Sequence, residues 1–259
     1  MQIDSNLVNG GALWHWTWNG KQFLSNVNGL RGTFSFFFLN NFSDIVSENG
    51  DDCYNHAPIV SEFNFDNTQS TMSVPLGHPF NDGIGNPCIH PVVWKDVLIG
   101  KRITLNYLGM GPVAKYKTLL WLPNPLPVSD LYQPVTSLDA QFNRFWTYDA
   151  ETADLEEVQI TDGCENGQGF FPNYGGIIAS DQSTGFAMGI YAVNASQGGS
   201  MTALAFLRHV CDDGTYSRMD VIRTQPYPAG RSSYNAYMMT GSVQQVRQYM
   251  DALFRAGVR

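Results

Sequence analysis

"GGALWHWTWNGKQFL", residues 10–24, sets three of the chain's six tryptophans at alternate positions, Trp14, Trp16 and Trp18, and follows them with Asn19-Gly20. Side chains on a strand alternate between faces, so the spacing predicts a strand with the three rings on one face and His15 and Thr17 on the other. Asn-Gly between two such runs is a two-residue hairpin turn, and Lys21 to Leu24 is the return strand. The same period of two recurs in "TFSFFFL" (33–39), "RITLNYL" (102–108), "KTLLWL" (117–122) and "FNRFWTY" (142–148), and in five later runs up to "YNAYMMT". About a dozen strands are expected, arranged as an all-β antiparallel sandwich of two packed sheets. One stretch breaks the pattern: "SVQQVRQYMDALFRAG" (242–257) has apolar residues at helical spacing, with Ser242 and Gln245 placed for a capping box and Gly257 past the end. It predicts a C-terminal amphipathic helix packed on a sheet.

Composition agrees. Aromatic residues make up 13% of the 259 residues and charged ones 15%, the latter well below the ~25% of an average soluble domain. With no linker-like tract, one β-sandwich domain over 1–259 is expected. The formal net charge is -8, from 23 acidic and 15 basic residues, and no basic cluster offsets it. Nucleic acid and anionic membrane surfaces are therefore not expected as partners, because both need a basic face. No apolar run reaches the roughly 18 residues of a membrane-spanning helix.

The N-terminus shows no basic segment followed by an apolar one, which fits either a cytosolic protein or a mature form whose signal has been removed. Four cysteines, Cys53, Cys88, Cys164 and Cys211, lie far apart without a C-x-x-C pair, so a zinc site is not expected. The even cysteine count, few lysines and many Asn, Ser, Thr and Tyr favour the secreted or periplasmic location.

The opening stretch, followed by "NGLRG" (28–32), resembles the N-terminal signature of galactose-mutarotase-like β-supersandwich proteins. "GFAMGIYAV" (185–193) and "GSVQQVRQYMDAL" (241–253) resemble segments of uncharacterised bacterial members. The resemblance implies a β-supersandwich acting on an oligo- or polysaccharide, with Arg31 on a loop that reaches the substrate. Aldose 1-epimerases of that group use two histidines and a late glutamate. His56 with His78 or His90 could supply the histidines, but no glutamate follows Glu165. A mutarotase is therefore not expected, and the broader class of carbohydrate-active proteins remains.

Saccharides are held by aromatic rings against their C–H faces and by polar groups on their hydroxyls. Trp14, Trp16, Trp18 and Trp121 are candidates for the first task, and His15, Asn55, His78 and His90 for the second. If the tryptophan face is instead core, the strand is a packing element and His15 lies outside.

"CYNH" (53–56) places Tyr54, Asn55 and His56 together in a long irregular region, 51–96, of the kind that is either a functional loop or poorly ordered. Tyr54 or His56 as base, with Arg31 and Asn55 to neutralise a uronate, would suit β-elimination. Glycoside hydrolysis needs two carboxylates, for which Glu62 and Asp181 are the leading candidates. The histidines lack metal-site spacing, and no phosphate loop, dinucleotide fingerprint or serine-hydrolase elbow occurs, so neither metal nor cofactor is expected. The reading is a glycoside hydrolase first, a polysaccharide lyase or non-catalytic sugar-binding protein second, with self-association through an exposed aromatic face a third use of the same strand.

Overall fold

In a computed structural model of the protein, the described residues are 1–6, 12–25, 33–39, 44–47, 57–79, 92–93, 95–163, 168–172, 175–192, 201–212 and 214–258. They form twenty strands, a short 3-10 turn and one helix. The strands are β1 Gln2–Asn6, β2 Ala12–Trp18, β3 Lys21–Gln22, β4 Thr33–Leu39, β5 Asp44–Ser47, β6 Ile59–Phe65, β7 Thr68–Ser73, β8 Leu76–Pro79, β9 Val92–Val93 and β10 Leu98–Thr104, then β11 Val113–Leu122, β12 Leu126–Asp139, β13 Phe142–Tyr148, β14 Leu155–Val158, β15 Gln168–Pro172, β16 Gly176–Asp181, β17 Ala187–Ala192, β18 Met201–Cys211, β19 Gly214–Tyr227 and β20 Gly230–Gly241; the helix is α1, Val243–Arg255.

They make two antiparallel sheets. The eleven-stranded sheet runs β15-β18-β19-β12-β4-β5-β8-β9, with β2 joined to β4 and carrying β1 and β3. The nine-stranded sheet runs β14-β13-β16-β17-β20-β11-β10-β7-β6. The expected sandwich is present with more strands than the dozen anticipated, because several are pieces of two to five residues that carry no readable alternation.

The sheets face each other across one apolar layer. Trp16, Leu204, Phe206, Met219 and Val221 come from the larger sheet, and Tyr116, Phe145, Ile177, Ile190 and Met238 from the smaller. Phe145 and Phe206 meet across it with ring centroids 4.9 Å apart. Large aromatic side chains suit this place because each removes much apolar surface from water at small conformational cost.

The opening stretch forms its hairpin. Asn19 and Gly20 both have positive φ, 48° and 78°, as a primed turn requires, and β2 pairs with β3 through Thr17–Gln22 and Trp18–Lys21. The strict alternation is corrected, however. Against β1, Asp4 pairs with His15 and Ser5 with Leu13, so Trp14 has no partner and forms a bulge. The bulge lets Leu13 and Trp16, three residues apart, both be fully buried. Trp18 packs against the same core, and His15 is exposed on the other face, 4.0 Å from Asp4. Trp16 and Trp18 are thus packing residues.

Helix α1 has the expected cap: the Gln245 N–H donates to Ser242 Oγ, and the Ser242 N–H donates to Gln245 Oε1. Val246, Met250 and Leu253 pack on the outer face of the nine-stranded sheet. They come so close to β17 that a Cβ at Gly189 would collide with Val246.

Trp16→Ala should cost about 3–5 kcal/mol in urea denaturation, whereas His15→Ala should stay within about 0.5 kcal/mol. Equal losses from both would show that the indole is not the core member of this strand.

Candidate functional site

Alternation along β19 sorts its side chains. Ser217, Met219 and Val221 point between the sheets, so Tyr216, Arg218, Asp220, Ile222 and Thr224 belong to the opposite, outer face of the eleven-stranded sheet. Register extends the same face onto the neighbours: Asp220 stands opposite Val135 of β12 and Ala205 of β18, Ile222 opposite Tyr132 and Ala203, and Thr224 opposite Asp130. Ala203, Ala205 and Ile222 form a small buried cluster with Tyr132 against it. An ion pair is thereby set beside apolar groups on a face that a one-sided sandwich would leave to water.

Arg218 donates from Nε at 2.9 Å and from Nη2 at 2.7 Å, both to Oδ2 of Asp220. Asp220 is 3% exposed, and its other oxygen, Oδ1, is buried with no hydrogen-bond partner among the described residues. Burial pushes the Asp220 carboxyl above the ordinary carboxylate range, and the Arg218 charge offsets this only in part. With both guanidinium nitrogens on Oδ2, Oδ1 is the oxygen that can carry the proton. Tyr132 is pushed up to about 12 by burial and then by the charges of Asp220 and Asp130, so its phenol stays protonated. Further along the face the Thr224 hydroxyl donates to Asp130 Oδ1, and His209 stacks on Tyr216 with ring centroids 4.6 Å apart. Thus a carboxyl with raised proton affinity, a phenol and a guanidinium share one sheet face.

Most sequence-derived candidates lie elsewhere. Arg31, Tyr54, Asn55, His56 and His90 fall outside the described residues. His78 falls in β8, where its backbone pairs with Ile45. That register continues through Phe38 to Asp130 and Thr224, placing His78 in the same row three strands from Asp130. Trp14 is the bulge residue of β2, and Trp16, Trp18 and His15 stand as described above. Trp121 lies half-buried on β11, which turns Leu120 and Leu122 inward. Glu62 is exposed on the edge strand β6 and accepts from Asn64 Nδ2 at 2.7 Å.

Asp181, at the end of β16, comes to the opening hairpin through Lys21, whose Nζ lies 3.2 Å from its Oδ2. Its oxygens also accept from the backbone N–H and hydroxyl of Ser183 and from the Thr184 hydroxyl at 2.7 Å. Burial opposes ionisation of Asp181, but these donors together with Lys21 hold its carboxyl far below the usual range. It is a fixed anion closing a turn. Among the described residues, Glu62, Trp121 and Asp181 belong to the nine-stranded sheet and are not gathered with one another.

Sequence reading missed Tyr132, His209, Arg218 and Asp220. The signal was present in "SRMDVI", where Arg218 and Asp220 alternate with Met219 and Val221: two charges on one face of a strand whose other face is core. No group of three or more His, Cys, Asp or Glu able to hold a metal occurs among the described residues.

Arg218→Met should cost roughly 3–5 kcal/mol by leaving the Asp220 carboxyl buried without its partner. The loss should be smaller in acid, because a raised carboxyl favours folding below its unfolded value and loses that contribution as pH rises through the folded one. Arg218→Met with Asp220→Leu should recover most of the loss in a urea double-mutant cycle. A double variant as unstable as the single one would show the pair is not coupled.

No family model matches the sequence, and no curated protein does. A solved structure does share the fold. A galactose mutarotase-like protein from Clostridium acetobutylicum superposes with a TM-score of 0.51 at 10% identity, over 93% of this chain and 92% of that one. The 4-alpha-glucanotransferase from Thermococcus litoralis gives 0.48 at 11% identity, over 93% of this chain and 36% of that chain. The heparan sulfate lyase from Pedobacter heparinus gives 0.46 at 9%, over 90% and 30%. This chain therefore spans about a third of those two larger proteins and nearly all of the first. This chain shares its two-sheet sandwich fold with that galactose mutarotase-like protein.

Proposed function

We propose that the protein is a carbohydrate-active enzyme that cleaves a glycosidic bond of an oligo- or polysaccharide lying across the outer face of the eleven-stranded sheet, with Asp220 as the proton donor. Asp220 carries the reading. It is a buried carboxyl with a raised proton affinity and an oxygen without a hydrogen-bond partner among the described residues, on the face away from the core. A leaving alkoxide must be protonated, and a carboxyl does this near neutrality only where its environment keeps the proton on. The likeness to a galactose mutarotase-like protein supports a saccharide ligand, although a fold alone assigns no reaction.

Residues outside the described ones are proposed to complete the site. Arg31 precedes β4 by two residues, and β4 carries Phe34 in the row of Val135 and Asp220. Tyr54, Asn55 and His56, with His78 and His90, remain the proposed contributors from the 51–96 region. Asp130 is four residues along the strand direction and one strand over from Asp220, or ~14 Å between backbones at standard spacings. Backbone spacing alone does not pair Asp130 with Asp220 as the two carboxyls, roughly 6.5–9.5 Å apart, of an inverting hydrolase. Cys211 is disulfide-bonded, which supports a secreted or periplasmic location.

A panel of polysaccharides and aryl glycosides, followed by reducing-end release and by ultraviolet absorbance of unsaturated uronates, separates hydrolysis from elimination. Asp220→Asn should lower kcat by roughly 10²–10⁴-fold. The wild-type rate should fall as pH rises through the raised Asp220 value, since the acid must be protonated. Silence in both assays with retained glycan affinity would make the protein a binding module, and an active Asp220→Asn would remove Asp220 from the chemistry.

A further inference from the structure

We propose a second glycan-binding surface, for a carboxylated, acidic polysaccharide, on the outer face of the nine-stranded sheet. Helix α1 packs over Ile178, Tyr191 and Met239 at one end of that face. Beyond it the face continues onto β11, β10, β7 and β6. The Tyr116 and Thr118 hydroxyls lie 3.1 and 3.4 Å from Ser35 of the opposite sheet, so on β11 it is Lys115, Lys117 and Trp121 that point outward. On β10, Ile99 and Ile103 are buried between the sheets and Arg102 is exposed. Register then aligns the outward side chains in rows. Arg102 stands directly opposite Lys117 on one side and Ser70 on the other, and Ser70 pairs with Phe63. The next row holds Lys115, Thr104, Thr68 and Phe65, with the two threonine hydroxyls 3.3 Å apart. Further along, Trp121 stands opposite the exposed Arg231.

Four of the chain's 15 basic residues thus share one face of a protein whose net charge is -8. No stretch of sequence displays the cluster, because its members come from β10, β11 and β20. Like charges directly opposite one another destabilise a sheet, yet Arg102 and Lys117 are such a pair. Lys115 is engaged by the Tyr107 ring, 5.4 Å away, whereas Arg102, Lys117 and Arg231 make no ion pair among the described residues. Within β6, β7, β10, β11 and β20 the single acidic residue is Glu62, which alternation turns to the other face, and Asp66 lies beyond the last row in the turn. A pairing rule broken on an exposed face points to a ligand that offsets the charge. Exposed rings flank the cations: Phe63 and Phe65, with centroids 6.3 Å apart, on one side and half-buried Trp121 on the other. The row from Phe63 to Lys117 and on to Asn235 covers four strand spacings, ~19 Å, an extent that suits a chain of sugars. A guanidinium fork fits a carboxylate, and the rings fit C–H faces. A uronate chain spreads one charge per ring, which the sparse cations can match. Duplex nucleic acid brings a charge every ~1.7 Å, which the protein's overall negative charge would repel. The surface lies on the other sheet from Asp220 and rests on the saccharide reading above only for its ligand class.

Native gel electrophoresis through gels cast with polygalacturonate, alginate or hyaluronan, each mobility taken relative to an empty gel and with glucomannan as the neutral control, tests it. Wild-type protein and Asp220→Asn should both be retarded in at least one acidic gel, less so at high salt, and run freely in glucomannan. Arg102→Gln with Lys117→Gln should bind roughly tenfold more weakly, the scale of lost charge-assisted hydrogen bonds. Its Tm should be unchanged or higher, because a like-charge pair has been removed, and Phe63→Ala should weaken binding with the Tm unchanged. Retardation of the double variant equal to that of wild type would overturn the surface. So would a wild type that no acidic gel retards, even if it cleaves a substrate of the panel. Equal binding of a thymidine oligonucleotide in a mobility-shift titration would overturn the saccharide as ligand. If the double variant only converts a dimer to a monomer in sedimentation, the cations serve a second copy of this acidic chain and the glycan surface is wrong.

Discussion

The sheet-on-sheet contact of β18 and β19 with β13, β16 and β17 is the constraint on which the other features depend. Leu204, Phe206, Met219 and Val221 are committed to it, and a strand side chain has only two directions available. Once Met219 and Val221 face inward, Arg218 and Asp220 must face outward, and so must their cross-strand neighbours Val135, Ala205 and Leu207. A slip of one residue would drive an ion pair into the apolar layer and expose four large side chains. Core packing and the outer-face site are therefore one specification of register.

The same logic explains why the larger sheet differs from a sheet with one wet face. Val135, Ala203, Ala205 and Ile222 are buried although they point away from the sandwich core. On the other sheet the corresponding task falls to α1, whose Val246, Met250 and Leu253 cover Ile178, Tyr191 and Met239. Close approach there depends on Gly176 and Gly189, which leave the helix room to sit directly on the strands. Each sheet thus buries part of both its faces, a condition that lets a charged pair sit in a low-dielectric setting outside the main core.

Legibility in the sequence followed the range of the signal. The Asn19-Gly20 hairpin and the Ser242–Gln245 cap were readable because turn and cap chemistry act over two to four residues. The bulge at Trp14 was not, since it arises from the pairing of β2 with β1, and the Ala12–Trp18 run alternates without interruption. The sandwich was readable from repeated alternation, but the strand order was not: β19 sits between β18 and β12 through contacts that span the whole chain. For that reason "SRMDVI" read as a strand without revealing that Arg218 and Asp220 would meet Tyr132, more than eighty residues earlier. Candidates chosen for residue type alone, Glu62 and Trp121, fell on the other sheet.

The contrast between Asp181 and Asp220 shows what residue type leaves undetermined. Both are buried aspartates at hydrogen-bond distance from one cation, Lys21 in one case and Arg218 in the other. Around Asp181, Ser183 and Thr184 add donors to both oxygens, and every donor favours the anion, so the proton is driven off. Around Asp220 the guanidinium engages one oxygen and the other has no hydrogen-bond partner among the described residues, so the burial penalty on the charged form outweighs the Arg218 charge and the proton affinity is raised. An anion with both oxygens occupied can brace a turn but has no site left for a ligand. A carboxyl with one oxygen left without a partner among the described residues has an unmet hydrogen bond in a dry setting, which the proposed reading assigns to a substrate oxygen. The two aspartates thus differ in proton affinity through the count of their donors, a property of the folded neighbourhood and of neither residue alone.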